Sequence, residues 1–308
     1  MKTALVIPGL DAIFSSKKLQ RWLEFDYIQE SLSKTSKYLS KITKQQENLN
    51  IFLEINKRPH LKDFDRTLVA LTAIQLGIIT GLIKNNMKWD IVLGCSHGDI
   101  ARSVHTGILT LERAVEVLWS FAYLRKNCPP GYTVTIRPIE KNKQLSTEQI
   151  NWLERSGLLL SHWSETHATA GSDIKILKYI EEHSIEHGLK VTQILPYPVH
   201  SPVMQSAVDF LKNQVSTFKF NIPNTPVYSS VNLEYITSVE QAIEEGLSSA
   251  VKPVLWIDTI KKLNNEEHVS TFINVGPSNT LTGWMLNHES LQESKLIDAW
   301  DILGKNND

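Results

Sequence analysis

The pattern of apolar and polar positions along the chain predicts short strands separated by longer helices. The runs ALVI at 4–7 and DIVLG at 90–94 are apolar segments of strand length, whereas residues 68–83 and the segment after Gly98 have helical spacing. The window at 68–83 is shorter than the roughly 20 residues that a membrane span needs. The pattern therefore predicts an α/β core, with a parallel sheet between two layers of helices and a buried helix at 68–83.

The middle of the chain has a pattern of its own. The segment CPPG at 128–131 interrupts a helical pattern, and the residues after it predict strand, helix, strand, helix and strand. A compact unit of about 70 residues would fit between two parts of the core. We therefore expect a core formed by residues 1–128 and 199–308, and a small subdomain at 129–198 that covers whatever site the core presents.

Charge and cysteine content narrow the functional classes. Lys and Arg number 32 against 33 Asp and Glu, a net charge of -1 that supplies no electrostatic footprint for nucleic acid or an anionic membrane. There are two cysteines, and Cys95 lies in an apolar strand-to-turn segment where a disulfide is awkward, so a cytoplasmic location is predicted. His183 and His187 stand at i and i+4 without a third ligand nearby, so no metal site is predicted.

The first candidate catalytic residue is Ser96, as a nucleophile. The strand at 90–94 runs into GCSHG at 94–98, a G-x-S-x-G pattern at a strand-to-helix junction. Glycines flank the serine because the turn is tight, and the turn exposes Oγ beside the first backbone N–H groups of the following helix, where an oxyanion is stabilised. Since Gly and Ser are also common in plain loops, the pattern requires this strand and helix context to indicate a nucleophile.

A nucleophilic serine needs a base, because its hydroxyl is not ionised at neutral pH. Among ten histidines, His200 is the candidate, since it lies in LPYPVHSPVM at 195–204, where prolines hold the loop rigidly at the end of a predicted strand.

Several segments, in order, resemble the malonyl-CoA:acyl-carrier-protein transacylase family over nearly the whole chain. LVIPG resembles the opening strand, GCSHGD the G-H-S-x-G-E elbow, PYPVHSPVM the histidine loop, NTPVYSSVN the P-V-x-S-N-V segment, and KPVLW with FINVGPSNTLTGW the closing segments. The resemblance implies an α/β-hydrolase-like parallel-sheet core with a small ferredoxin-like subdomain inserted.

The resemblance also implies a ping-pong reaction. Ser96 would attack a thioester to form an acyl-enzyme, and the phosphopantetheine thiol of an acyl carrier protein would accept the acyl group. The backbone N–H groups of His97 and Leu10 would form the oxyanion hole, and the backbone carbonyl near Ser249 would orient His200. Coenzyme A or phosphopantetheine would carry the substrate, with no resident cofactor and no metal. We expect a monomer, because no amphipathic stripe is left unexplained by the core.

The departures from the family concern the acyl group. At the position where malonyl-specific relatives carry an arginine that pairs with the malonyl carboxylate, this chain has Phe121. Burying a carboxylate there without a cation would cost several kcal/mol, so a non-malonyl acyl group is predicted. Arg125, one helical turn further on, is an alternative partner for the carboxylate. Arg102 is interpreted as a surface residue or an ion-pair partner.

Two further pocket positions also depart from the family. Arg66 stands where relatives have a glutamine, and His162 stands where they have an asparagine, so both are candidate pocket residues by resemblance. Cys95, in place of the elbow's first histidine, is interpreted as a packing residue.

Four functional interpretations stay open from the sequence. The first is transfer of a non-malonyl acyl group to or between carrier proteins. The second is an acyl hydrolase that removes stalled acyl groups from carrier proteins, which would use the same acyl-enzyme but resolve it with water. A non-catalytic carrier-binding module is disfavoured, because it has no need of a strained elbow. An ordinary esterase is disfavoured because its acid normally lies between Ser and a late His.

Overall fold

The computed structural model of the protein describes residues 1–10, 16–56, 58–141, 143–215, 217–286, 288, 291 and 293–304. The strands are β1 (Lys2–Ile7), β2 (Ile91–Gly94), β3 (Gly131–Pro138), β4 (Ser161–Ser164), β5 (His167–Asp173), β6 (Leu189–Leu195), β7 (Val227–Tyr228), β8 (Tyr235–Ile236), β9 (Val269–Asn274) and β10 (Lys295–Asp298). The helices are α1 (Ser16–Trp22), α2 (Asp26–Thr43), α3 (Leu49–Ile55), α4 (Pro59–Lys62), α5 (Phe64–Lys84), α6 (Gly98–His105), α7 (Leu111–Asn127), α8 (Thr147–Arg155), α9 (Ile174–His183), α10 (Gln205–Val215), α11 (Val239–Val251), α12 (Trp256–Asn265), α13 (Thr280–Leu286) and α14 (Ala299–Leu303).

The larger sheet has the order β10-β9-β1-β2-β7-β8. Its neighbours pair in parallel from β10 to β7, and β8 pairs antiparallel with β7 at the edge. Leu5 and Ile7 of β1 pack in a core cluster with α2 and α5, whereas Ala4 and Val6 pack in a second cluster with α12 and α13. Because helices cover both faces, the strands are apolar at successive positions, and the predicted α/β core is confirmed.

Helix α5 is the predicted buried helix. Within the described residues it alone has the length and composition of a membrane span, and 78% of its most apolar window is buried inside the protein. Asp63 caps its N-terminus by accepting a hydrogen bond from the backbone N–H of Arg66. The helix therefore forms part of the core rather than an amphipathic surface layer.

The smaller sheet has the order β4-β5-β3-β6, and its neighbours pair antiparallel. Helices α8 and α9 cover one face, where Leu153 and Leu177 pack with Val134 and Ile136 of β3. Strand, helix, two strands, helix and strand follow one another along the chain, and with the sheet order β4-β5-β3-β6 they form the ferredoxin-like arrangement that the family resemblance implied.

The pattern of this region was predicted with one strand too few. Strand β5 has the sequence HATAGSD, whose apolar positions are occupied only by alanine and glycine, so its hydrophobic signal is weak. It lies between β4 and β3 in the sheet, so its pairing is decided by neighbours on both sides rather than by its own composition.

Candidate active site

Ser96 lies at the sharp turn between β2 and α6. Its backbone φ is 54°, in the left-handed region that side chains other than glycine rarely adopt. The flanking glycines are required by close contacts. A Cβ at Gly98 would lie 2.1 Å from the carbonyl oxygen of Ile7, and a Cβ at Gly94 would lie 2.7 Å from the Cα of Asp99. Strand β1, β2 and α6 therefore meet too closely for any side chain at these two positions.

His200 occupies the loop that leads from β6 back to the larger sheet. Its φ is 58°, so it also has a strained left-handed backbone. The loop packs against the smaller sheet. Thr133 Oγ1 donates to the carbonyl of Tyr197 at 2.7 Å and accepts from the N–H of Val199 at 3.1 Å. A Cβ at Gly171 would lie 2.2 Å from the carbonyl oxygen of Val199. These contacts fix the backbone from which His200 projects.

The structure brings Ser96, His200 and Ser249 into one hydrogen-bonded line. Ser96 Oγ lies 2.8 Å from His200 Nε2, and His200 Nδ1 lies 2.5 Å from the backbone carbonyl oxygen of Ser249. Because a carbonyl oxygen can only accept, Nδ1 carries the proton and Nε2 is left to accept from the serine hydroxyl. The imidazole thus has the tautomer that a general base requires.

The end of α11 explains why the Ser249 carbonyl is available. In a continuous helix it would accept from residue 253, but that residue is Pro253, which has no N–H. The helix ends at Val251, and the N–H of Lys252 bonds to the carbonyl of Ser248. The last turn therefore presents carbonyl oxygens to the histidine loop, and their partial negative charge would also stabilise an imidazolium.

Burial lowers the pKa of His200 to about 4 from its ordinary value of 6.5, while the carbonyl of Ser249 opposes the shift. Only 6% of the residue's surface is exposed. At neutral pH the imidazole is therefore uncharged and able to accept a proton.

His97 follows the serine and is the N-cap residue of α6. Its ring Nε2 lies 3.0 Å from Thr72 Oγ1, and burial lowers its pKa to about 4. The backbone N–H groups of Gly98 and Asp99 donate to the carbonyls of Cys95 and Ser96 respectively, whereas in the described part of the chain the N–H of His97 has no backbone acceptor. An N–H without a backbone acceptor at the start of a helix is available to donate to an oxyanion.

Two cavities meet at Ser96 and His200, and Leu10 lines both. The first has a volume of about 130 Å³ and extends between α6, α7 and α11 past Phe121. The second has a volume of about 210 Å³ and lies between the two sheets, with Trp284 in its wall. A carbonyl placed at Ser96 would therefore have space on two sides, one for each part of a thioester.

The predicted specificity position, Phe121, lines the first cavity and packs with Met204 in a small apolar cluster. Arg125 lines the same cavity, but its guanidinium pairs with Asp65 and lies 5.1 Å from the centre of the Phe64 ring. The cavity next to the serine is therefore apolar at the position of Phe121, and its one described arginine already has a carboxylate partner.

Arg102 is an ion-pair partner rather than a surface residue, since only 2% of its surface is exposed. Cys95 is buried and packs in the second core cluster, as its interpretation as a packing residue requires.

The structure does not bring the other two candidate pocket residues to Ser96. Arg66 binds Glu47 through two hydrogen bonds, at 2.7 and 2.8 Å, and also pairs with Asp63. His162 lies on β4, where burial lowers its pKa and the charges of Glu154 and Asp258 oppose the shift. Neither residue is among the described residues that line the two cavities.

Sequence reasoning missed Thr133, Gly171 and Pro253 as contributors to the site. Pro253 had a local signal, since a proline just past a helix leaves carbonyls unpaired. The others had none, because each acts on a segment that is distant in sequence. In the part of the chain that the structure describes, no group of three or more His, Cys, Asp or Glu side chains is arranged to bind a metal ion.

Comparison with known proteins defines the class. The acyl transferase domain family matches residues 23–305. The chain therefore belongs to the acyl transferase domain family, and it is an acyltransferase enzyme.

Particular relatives agree with this class. The malonyl CoA-acyl carrier protein transacylase of Bacillus subtilis is 24% identical over 224 residues, which cover 70% of this chain and 69% of the relative. The chain also matches much longer proteins, and it spans 3% of the polyketide synthase GfsA of Streptomyces halstedii.

Solved structures of similar fold include the malonyl CoA-acyl carrier protein transacylase of Coxiella burnetii, with a TM-score of 0.84, 19% identity and coverage of 99% of this chain and 96% of that one. Another is a type II polyketide synthase acyl carrier protein in complex with its malonyl-transacylase, with a TM-score of 0.82, 18% identity and coverage of 99% and 100%. These neighbours confirm the fold, an α/β core with a small subdomain.

Proposed function

We propose that the protein transfers a non-malonyl acyl group from an acyl thioester to an acyl carrier protein through an acyl-Ser96 intermediate, with His200 as the base. The observation that carries the proposal is the hydrogen-bonded line from Ser96 Oγ through the His200 ring to the Ser249 carbonyl, with distances of 2.8 and 2.5 Å. A nucleophile and a base within hydrogen-bond reach, with the base oriented by a third group, form the arrangement that covalent acyl transfer requires.

The proposed reaction has two halves. Ser96 Oγ attacks the thioester carbonyl carbon while its proton passes to His200 Nε2, and the C–S bond breaks as the imidazolium returns that proton to the departing thiolate. The phosphopantetheine thiol of the carrier protein then attacks the acyl-serine, its proton passes to His200 Nε2, and the imidazolium reprotonates the departing Ser96 Oγ. In both halves the N–H groups of His97 and Leu10 would hold the tetrahedral oxyanion.

The two cavities would accommodate the two parts of an acyl thioester. The first cavity, past Phe121, would hold the acyl group, and the second cavity, between the sheets, would hold the pantetheine arm. In this proposal residues 129–198 act as a subdomain that covers the core, since Thr133 and Ile194 of the smaller sheet line the second cavity. A covered site would limit hydrolysis of the acyl-enzyme.

The acyl group is proposed to lack a carboxylate. Phe121 offers no charge to a malonyl carboxylate, and Arg125 is held by Asp65. Recruiting Arg125 would leave Asp65, whose side chain is 20% exposed, without its partner. A malonyl group would therefore lose several kcal/mol of binding relative to an apolar group of similar size.

The acyl carrier protein is proposed as partner because one structural neighbour is a malonyl-transacylase in complex with such a protein. The chain's small net charge of -1 leaves recognition of this partner to local charges near the cleft.

The test measures both loading and release. The protein is incubated with acetyl-, butyryl- and malonyl-CoA, with and without a holo acyl carrier protein, and protein mass and free acid are followed by mass spectrometry. Ser96→Ala is the control. We expect an apolar acyl adduct that requires Ser96 and passes to the carrier thiol.

Each other outcome would contradict a part of the proposal. Rapid release of free acid with little transfer would make the protein an acyl hydrolase. Malonyl loading equal to acetyl loading would contradict the role given to Phe121. Absence of any adduct or turnover with every donor would favour a carrier-binding module without catalysis.

A further inference from the structure

Three charged side chains form a buried cluster beside the candidate active site. Arg102 Nη1 lies 2.9 Å from Asp99 Oδ1 and 2.9 Å from Glu245 Oε1. The side chains of Arg102, Asp99 and Glu245 are 2%, 10% and 1% exposed. We name these three residues the buried charge cluster.

The cluster joins the two helices that carry the candidate catalytic machinery. Asp99 and Arg102 stand three and six residues after Ser96 on α6, the helix of the nucleophile. Glu245 stands four residues before Ser249 on α11, so the two positions lie on the same face of that helix, one turn apart. The Arg102–Glu245 ion pair thus connects α6, the helix that follows Ser96, with α11, the helix whose Ser249 carbonyl orients His200.

Stability alone is a weak reason for such a cluster. Buried ion pairs cost desolvation energy, and apolar side chains of similar volume are often as stable or more stable. This cluster is also incompletely satisfied, since within the described residues Glu245 Oε2 and Asp99 Oδ2 have no hydrogen-bond partner. What a fixed, directional ion pair can still supply is a geometric constraint, here on the position of α6 relative to α11.

Glu245 is the main partner of Arg102. Its Oε1 accepts a hydrogen bond from Arg102 Nη1, whereas Asp99 lies close to the same nitrogen without one. Burial and the charge of Glu245 raise the pKa of Asp99, and Arg102 opposes that shift. Because Glu245 accepts a hydrogen bond from Arg102 and Asp99 does not, Arg102 and Glu245 form the principal ion pair of the cluster.

We propose that Arg102 and Glu245 are positioning residues for acyl transfer. By fixing the distance between α6 and α11, they keep the Ser249 carbonyl on His200 Nδ1 and therefore His200 Nε2 on Ser96 Oγ. Neither side chain touches the substrate. The proposal rests on the proposed function for its kinetic consequence, but its structural consequence, the tautomer and position of the His200 ring, does not require any activity.

The first experiment compares Glu245→Gln with Glu244→Gln, a matched control at an exposed position of the same helix. Ring nitrogens of ¹⁵N-histidine-labelled protein report the tautomer, with the His200 signal assigned by its loss in His200→Ala. We expect Glu245→Gln to lower the fraction protonated at Nδ1, and Glu244→Gln to leave it unchanged. An unchanged His200 signal in folded Glu245→Gln would overturn the proposal.

The second experiment separates positioning from stability. We expect kcat for acyl transfer to fall between about tenfold and a hundredfold in Glu245→Gln, with KM within about twofold of the wild type, because a misplacement of reacting groups by about 1 Å can cost about a hundredfold. The paired replacement Arg102→Met with Glu245→Leu should recover the midpoint of urea unfolding but not kcat. Wild-type kcat in this paired variant would overturn the proposal.

Two further comparisons complete the test. Arg102→Lys keeps the charge but lacks the planar guanidinium, so it should retain more activity than Arg102→Met. If Glu245→Gln does not fold, Arg102→Lys takes its place in the tautomer and kinetic experiments. Absence of Ser96-dependent activity in the wild type would reject the proposed function, while the His200 tautomer experiment would still decide the positioning proposal.

Discussion

The pKa of His200 gives the sharpest prediction. Burial lowers it to about 4, against an ordinary value of 6.5. At pH 5 a histidine with a pKa of about 4 is about 90% neutral, whereas one with an unperturbed pKa is only about 3% neutral. Since only the neutral ring can accept the serine proton, kcat/KM for acylation should stay nearly constant from pH 8 to pH 5 and fall by half near pH 4.

The stability of the protein changes over the same range and has to be measured with the activity. The folded-state pKa of His200 is below the unfolded value, so the unfolded chain takes up the proton first as the pH falls. Stability is therefore lost as the pH drops from about 6.5 towards about 4, and His200 alone removes about 2 kcal/mol by pH 5. Typical domains have about 5 to 15 kcal/mol, so the folded state should persist at pH 5.

The assay uses an acetyl thioester of N-acetylcysteamine, which has no ionising group between pH 4 and 8, and measures single-turnover acylation of Ser96. Urea unfolding at each pH gives the folded fraction. The His200→Ala variant gives the rate without a base, and its acid limb near pH 4 should disappear. A midpoint near pH 6.5 in folded wild-type protein would refute the assignment of a buried neutral His200 as the base.

Three substitutions, one of them with a matched control outside the site, test other parts of the site. Gly98→Ala should lower the free energy of unfolding by about 3 kcal/mol, because its Cβ meets a backbone carbonyl, whereas Gly283→Ala, with open space around it, should be neutral or slightly stabilising in urea unfolding. Pro253→Ala adds an N–H that competes for the Ser249 carbonyl, so kcat should fall about tenfold at nearly unchanged thermal stability, and an unchanged kcat would contradict the explanation given for that carbonyl. Phe121→Arg should raise malonyl loading relative to acetyl loading by about tenfold or more in intact-mass assays, and an unchanged ratio would show that the acyl group does not lie beside this position.

The elements that could be predicted from the sequence are those whose signals are local. A continuous apolar run of helix length predicts α5 as a core helix, and glycines on both sides of Ser96 at a strand end predict a tight turn. The prolines around His200 likewise predict a rigid loop. In each case neighbours in sequence impose the constraint, so the residue types are sufficient evidence.

Elements whose conformation depends on distant segments could not be predicted in this way. Strand β5 was missed because its pairing with β4 and β3 outweighs its weak pattern. Arg66 resembled a pocket position, but its salt bridge with Glu47, 19 residues away in sequence, holds it elsewhere.

The sequence by itself determined the α/β class, the turn at Ser96, and the histidine loop, because each depends on a backbone conformation that short-range residue types impose. Only the tertiary structure decided that Ser96 and His200, 104 residues apart, lie within one hydrogen bond, and that a helix end provides the third group. It also decided that Arg102 is buried against Glu245. Contacts of this kind depend on how the helices pack against the sheet, and no local pattern of apolar and polar residues specifies that packing.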